Sequence, residues 1–178
     1  KKSISCTRSF EKSYTDEEKI KERISSFSIN CAEKLRAQKS KCNAIIIFLQ
    51  TNKHKEKEKQ YSKSIFIQSP FPTNSSIEIS RLANGGFTRI FKKGYQYKKA
   101  GVILANFTPE NQEQLSIFEN SNPKHKHLMK TMDYINYSMG DQKIKLASQD
   151  LKKTWKMKQE KLSRRYSTKL EEIIVVHV

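Results

Sequence analysis

A chain of 178 residues with 35 Lys/Arg against 18 Asp/Glu carries a net charge of +17, and an excess of that size repels itself unless a polyanion neutralises it. No apolar run approaches the ~18–20 residues needed to span a bilayer, which argues against a helical membrane protein, and no signal peptide is visible. Residues 1–110 hold 22 Lys/Arg and 10 Asp/Glu, a net +12, so the polyanion is expected to meet that part; nucleic acid is the commonest such partner, and a merely Lys-rich solvated surface is the plainer alternative.

The length allows one ordinary domain plus an appendage, or two small ones. Lys1 stands where Met would start a gene, and a strand-like run begins at once, so the chain is expected to be a cut from a longer protein. Residues 2–10 alternate as a strand. Thr15 with Glu18 three residues on is a candidate capping box. Behind it Ile20, Ile24, Phe27, Cys31 and Leu35 recur at helical steps, which predicts a helix to about Lys39. Residues 43–51 are a β-branched run too short for a helix and too apolar for an exposed strand. Residues 52–60, almost all charged, suit a mobile hairpin connection. Residues 62–68 predict a third strand, ended by Pro70 and Pro72.

Ser75 and Glu78 offer a second capping box. They open a helix with Ile79, Leu82, Ala83, Phe87, Ile90 and Phe91 on one face, stopped at Gly94. Gly85 and Gly86 weaken that helix by about 1 kcal/mol each relative to Ala, and would permit close packing on a sheet. Residues 100–107 predict a fourth strand, ended by Pro109. The order β-α-β-β-α-β predicts an α+β fold, one sheet with both helices on one face and the other face free.

Residues 109–127 are polar apart from one apolar island. Beyond them Leu128, Met132, Ile135 and Met139 are spaced as a helix face, with Gly140 ending it. Residues 143–147 suggest a short strand, residues 151–162 a helix, and residues 173–178 a final strand or an apolar tail. The expected division is a first domain over 1–109, a linker over 110–123 and a small, mostly helical unit over 124–178.

Catalysis has little support. Glu17 and Glu18 sit at a helix start, where the dipole favours acids, and Glu171 and Glu172 are adjacent with no partners suited to a two-metal site. His125 and His127 could ligate a metal on a strand, but they stand in a Lys-rich linker, which argues against it. No phosphate-cradling glycine loop is present. The odd set of Cys6, Cys31 and Cys42 forms no CxxC pair, which suits free thiols in a reducing cytosol, and Cys31 falls on a helix's apolar side. A small hydrolase using Cys or His would need convergent partners that spacing does not display.

Nucleic-acid contact has more. Ser3, Ser5, Thr7 and Ser9 share one parity of the first strand, with Ile4, Cys6 and Phe10 on the other. A row of small hydroxyls lets a phosphate backbone approach closely, and an ordinary solvated face fits the same pattern. Arg8 falls on the apolar parity. Lys63, Lys98 and Lys99, at the starts of later strands, would add charge. With no aromatic row on the hydroxyl parity, duplex phosphate contact is favoured over base stacking. The apolar island Gln114, Leu115, Ser116, Ile117 and Phe118 suits a peptide that docks in another protein's groove, and equally one folding back on its own core.

Together these pieces resemble a known family. Lys2-Ser3-Ile4, Arg8-Ser9-Phe10 and Lys98-Lys99-Ala100-Gly101-Val102 resemble the first and last strands of the little-finger domain of Y-family DNA polymerases. Ala32-Glu33-Lys34-Leu35-Arg36 is similar to the first helix of the UmuC subgroup. Gln114 to Phe118 is similar to the bacterial sliding-clamp motif. Met132-Asp133 with Asn136, Ala147-Ser148-Gln149, Trp155 with Met157, and Leu162-Ser163 before Arg165-Tyr166 resemble the UmuC tail, with Arg164 where that pattern has proline.

The resemblance implies the C-terminal part of a translesion polymerase of the SOS response, working in the bacterial cytosol on the nucleoid. It implies primer–template DNA gripped through backbone contacts, a sliding clamp as partner, and a UmuD-like subunit and the RecA filament as further partners. Mg and catalytic carboxylates would belong to the parent's N-terminal part, so this chain alone is expected to hold no cofactor and incorporate no nucleotide. A free-standing basic α+β nucleic-acid-binding protein is the alternative.

Overall fold

The computed structural model describes residues 1–55, 57–112, 121–140, 143–151 and 162–172. Its elements are β1 (Ile4–Tyr14), α1 (Glu17–Ala37), β2 (Ser40–Thr51), β3 (Ser62–Thr73), α2 (Ser76–Ile90), β4 (Tyr97–Pro109), α3 (Pro123–Met139) and a 3-10 turn at Leu170–Glu172. The α+β class and the β-α-β-β-α-β order are those expected from the sequence. The sheet order is β1-β4-β2-β3, and every neighbouring pair is antiparallel.

Both α1 and α2 pack on one face of this sheet. The five residues spaced along α1, from Ile20 to Leu35, are all fully buried, as are Ile79, Ala83 and Phe87 of α2. They meet Ile45, Ile47 and Leu49 of β2 and Ala100, Val102 and Leu104 of β4. Each buried Ile, Leu or Phe contributes about 1.5–3 kcal/mol by leaving water, so this single layer dominates the stability. Gly86 is the point of closest helix–sheet approach: a Cβ there would lie 2.4 Å from Ile67 Cδ1 and 2.8 Å from Ile47 Cδ1. The expectation of close packing is met at Gly86, while Gly85 faces open space.

Several local expectations are corrected. Asp16, not Thr15, caps α1; its carboxylate accepts from the backbone N–H of Glu18 at 3.1 Å and of Lys19 at 3.4 Å. A charged acceptor one residue later outcompetes a hydroxyl for the same orphan donors. Ser75 occupies the N-cap of α2 but makes no side-chain cap bond, and the Glu78 carboxylate is buried in a different task described below. Helix α2 stops at Ile90, with Phe91 already extended, and Gly94 serves the following turn at φ +87°.

Strand β3 runs through Pro70 and Pro72 to Thr73. It lies at the sheet edge, where a missing N–H costs no ladder bond on the open side, and its register with β2 shifts between Ala44 and Cys42.

Beyond the sheet, α3 starts with Pro123 in its first turn, with Asn122 as cap, and ends at Gly140 (φ +68°). Its inward side matches the predicted face only at Met132. Met129 and Met132 are buried, whereas Leu128 and Met139 are 45% and 65% exposed. No strand forms over residues 143–147. Instead the Asn136 side-chain amide takes the place of a strand partner, donating to Ile144 O at 3.0 Å and accepting from Ile144 N at 2.9 Å. The helix expected over 151–162 falls largely, and the tail over 173–178 wholly, outside the described residues.

Candidate nucleic-acid interface

Cross-strand register decides which side chains share the helix-free face. Thr7 of β1 pairs with Gly101 of β4, Gly101 with Phe48 of β2, and Phe48 with Ser64 of β3. One row further, Ser9 aligns with Lys99, Gln50 and Ser62; in the other direction Ser5 aligns with Ile103, Ile46 and Phe66. These three rows look away from the helices. Gly101 makes their centre possible, because a Cβ there would meet Thr7 Cγ2 at 2.5 Å and Phe48 Cε1 at 2.6 Å.

The sequence candidates are thereby sorted. Ser5, Thr7 and Ser9 are exposed along β1 on this face, and Ser3 is exposed just before the strand begins. Lys99 joins them, its ammonium 6.0 Å from the Phe48 ring centre. Arg8 and Lys63 do not: they pair with the core residues Ala100 and Leu49 and so take the helix-side parity. Lys98 occupies an irregular step, since Lys99 pairs with Gln50 while Tyr97 pairs with Thr51, and its ammonium donates to Glu11 O at 2.8 Å. The period-2 alternation found the hydroxyl row, but the bulge beside Lys98 left no mark in the sequence.

Two features escaped sequence reasoning. The first is aromatic: Phe66 is 55% exposed and Phe48 partly so, both on the hydroxyl-bearing face. They come from β2 and β3, so the parity of β1 gave no warning of them. The second is the charge at one end of the sheet. Lys53, Lys55, Lys57 and Lys59 stand exposed on the β2–β3 connection, next to the Ser9–Lys99–Gln50–Ser62 row. Lys92 approaches the same end from the α2–β4 connection, 5.5 Å over the Tyr61 ring.

A second polar cluster joins α3 to the sheet domain. Arg36, at the end of α1, forks onto Asp133 of α3 through Nε and Nη2, both at 2.6 Å, and donates through Nη1 to Asn74 O at 2.7 Å and Ser76 Oγ at 2.9 Å. Beside it the buried Glu78 carboxylate accepts from Thr73 Oγ1, from Ser121 Oγ at 2.9 Å and from Asn122 N at 3.1 Å. His125 Nδ1 lies 3.0 Å from both Glu78 Oε1 and Ser75 Oγ. The inward side of α3 is therefore His125, Met129, Met132 and Asp133, a helical spacing made half of polar groups. Among the described residues no group of three His, Cys, Asp or Glu side chains could hold a metal ion, and His127 is exposed.

The candidate docking residues Gln114, Leu115, Ser116, Ile117 and Phe118 lie outside the described residues. The segments on either side are anchored: Glu110 N donates to Lys39 O at 3.0 Å, and Ser121 and Asn122 hold Glu78. Burial pushes the thiols of Cys31 and Cys42 up to about 12 and raises Cys6 as well. Cys31 and Cys42 pack within the core and Cys6 against it.

With this geometry in hand, the profile of the impB/mucB/samB family C-terminal domain matches residues 1–117. The chain belongs to the impB/mucB/samB family. A domain of unknown function (DUF4113) matches residues 126–176. Among family relatives, Protein ImpB of Salmonella typhimurium is 35% identical over 97% of this chain and 41% of its own length. Protein UmuC of Salmonella typhimurium (strain LT2) is 32% identical over 99% of this chain and 42% of its own. The chain thus spans about two fifths of the length of these curated relatives. Two solved structures are also similar: a complex of the beta-clamp processivity factor with the little finger domain of PolIV (TM-score 0.41, 10% identity, 66% of this chain and 99% of that one) and the insertion ternary complex of Dbh DNA polymerase (TM-score 0.43, 11% identity, 58% and 28%). The UmuC-type resemblance found in the sequence holds at the level of the family. No helix among the described residues is long and apolar enough to cross a membrane.

Proposed function

We propose that this chain is the DNA-gripping and partner-docking C-terminal module of an error-prone translesion DNA polymerase of the SOS response, acting in the bacterial cytosol on the nucleoid. The observation that carries this reading is the helix-free face of the sheet. There Ser5, Thr7 and Ser9 line up beside Gly101 and Lys99, in a region with a net charge of +12. Small hydroxyls and a lysine along a strand suit sequence-independent contact with phosphates. Two-metal nucleotidyl transfer with Mg would belong to the rest of the parent enzyme.

Residues 114–118 supply the second half of the proposal. Leu115, Ile117 and Phe118 enter apolar pockets of the sliding clamp, and Gln114 contributes an orienting amide hydrogen bond. The portion after residue 123 is left for a UmuD-like subunit or a RecA filament.

The DNA reading is tested by binding primer–template DNA across a salt series. Each phosphate neutralised releases counterions, so log K falls with log salt by about 0.9 per contact. Lys99→Ala should flatten that slope by about 1 and weaken all sequences alike, and Lys98→Ala should do less because its ammonium is engaged with Glu11 O. Salt-insensitive binding, or a marked preference for one base sequence, overturns the reading.

A further inference from the structure

The helix-free face is not uniformly polar. Hydroxyls line β1 and Lys99 stands at one end, but the middle and the β3 side carry Ile103, Ile46, Phe48 and Phe66. Phosphates gain nothing from such a surface. Flat, weakly hydrated groups do, and a nucleic acid offers them only where its bases are unpaired. Phe66 pairs with Ile46 and Phe48 with Ser64, so the two residues occupy diagonal positions on adjacent strands, their backbones about 7–8 Å apart, with the Phe48 ring lying across Gly101. Charge selects the same occupant: Lys99 lies over the Phe48 ring, and the exposed lysines of residues 53–59 stand at the end of the same face.

We propose that the β2–β3 half of this face is a base-stacking platform for unpaired DNA, with Phe66 as its principal ring and Phe48 as its second. The proposal rests on the DNA-binding reading above and deepens it: phosphates track along β1 and Lys99 while one or two unstacked bases lie on the rings. Stacking tolerates every base, so the platform adds affinity for single strands without sequence preference.

The test uses the full chain and three dye-labelled probes: a 12-nucleotide single strand, the same backbone with abasic sites in the middle, and a blunt hairpin duplex. Wild type is expected to bind the base-bearing strand about tenfold more tightly than the abasic one. Phe66→Ala should erase that difference, leaving abasic binding as it was. Phe66→Leu keeps apolar area without a ring, so it should also lose most of the difference; it serves as the second variant should the alanine form fold poorly. Equal wild-type binding of the base-bearing and abasic strands overturns the platform, as does a Phe66→Ala loss of equal size on both. If the duplex binds with its salt dependence intact while the base effect is missing, only the platform fails. If no probe binds at low salt, both readings fail together.

Discussion

At Gly101 the sheet has no room for a side chain. A Cβ would lie 2.5–2.7 Å from Thr7 Cγ2 and two atoms of the Phe48 ring. Gly101→Val should therefore lower stability by about 1–3 kcal/mol, the usual cost of overpacking, read from urea denaturation. Gly86→Ala should cost less, because it meets only the far ends of two isoleucines and gains up to about 1 kcal/mol of helix propensity. A second residue-scale effect comes from the buried thiols. Cys31 and Cys42 are raised from 9.0 to about 12 by burial, and burial raises Tyr97 from 10.0. A folded pKa above the unfolded one means the folded state keeps protons that the unfolded state has released. The contribution of these thiols to stability should thus be level below pH 9 and fall as the pH rises from 9 towards 12. Urea midpoints at pH 8 and pH 10 check this, and replacing Cys31 and Cys42 by alanine should flatten the trend to the shares of Cys6 and Tyr97.

At the scale of elements, α3 is held by charge as much as by packing. Breaking a buried ion pair costs about 3–5 kcal/mol, and an exposed one contributes about 0–1 kcal/mol. With Arg36 13% exposed and Asp133 32% exposed, this fork lies between. Asp133→Ala should cost about 1–3 kcal/mol, and hydrogen exchange should accelerate in α3 while the sheet stays protected. The same helix shows where sequence reading stops. In α1 the fully buried apolar residues recur at helical steps, so Ile20 through Leu35 stood out at once, although Arg23, Ser25, Ser26 and Ser28 are buried beside them. In α3 the inward side mixes His125 and Asp133 with two methionines, so choosing the apolar residues picked Leu128 and Met139, which are exposed. Glu78 misled in the same way: its spacing from Ser75 suggests a capping box, and only the fold brings Ser121, Asn122 and His125 to it. The hydroxyl row on β1 was legible because its partner was the core. Phe48 and Phe66 were not, because an open face imposes no pattern on β2 and β3 until their register is known.

For the whole molecule, the two proposed contacts should separate cleanly. Leu115→Ala with Phe118→Ala is expected to abolish binding to the sliding clamp while leaving DNA affinity and thermal unfolding nearly unchanged. Burying two or three such side chains gives about 1.5–3 kcal/mol each before the cost of ordering the peptide, so the intact contact should be weak, on the order of micromolar. Its value comes from tethering, which raises the module's effective concentration at a primer end already encircled by the clamp. Clamp binding by surface plasmon resonance, alongside a thermal melt, is the check; a double variant that unfolds instead makes the island part of the core. The prolines of β3 bear on the same crowded setting. Another strand can add to a sheet edge only where donors and acceptors alternate without a gap, and Pro70 and Pro72 break that alternation towards the end of β3, one of the two edge strands. A ribbon of many copies needs both edges of every sheet, so these two prolines work against it even though the β1 edge carries none.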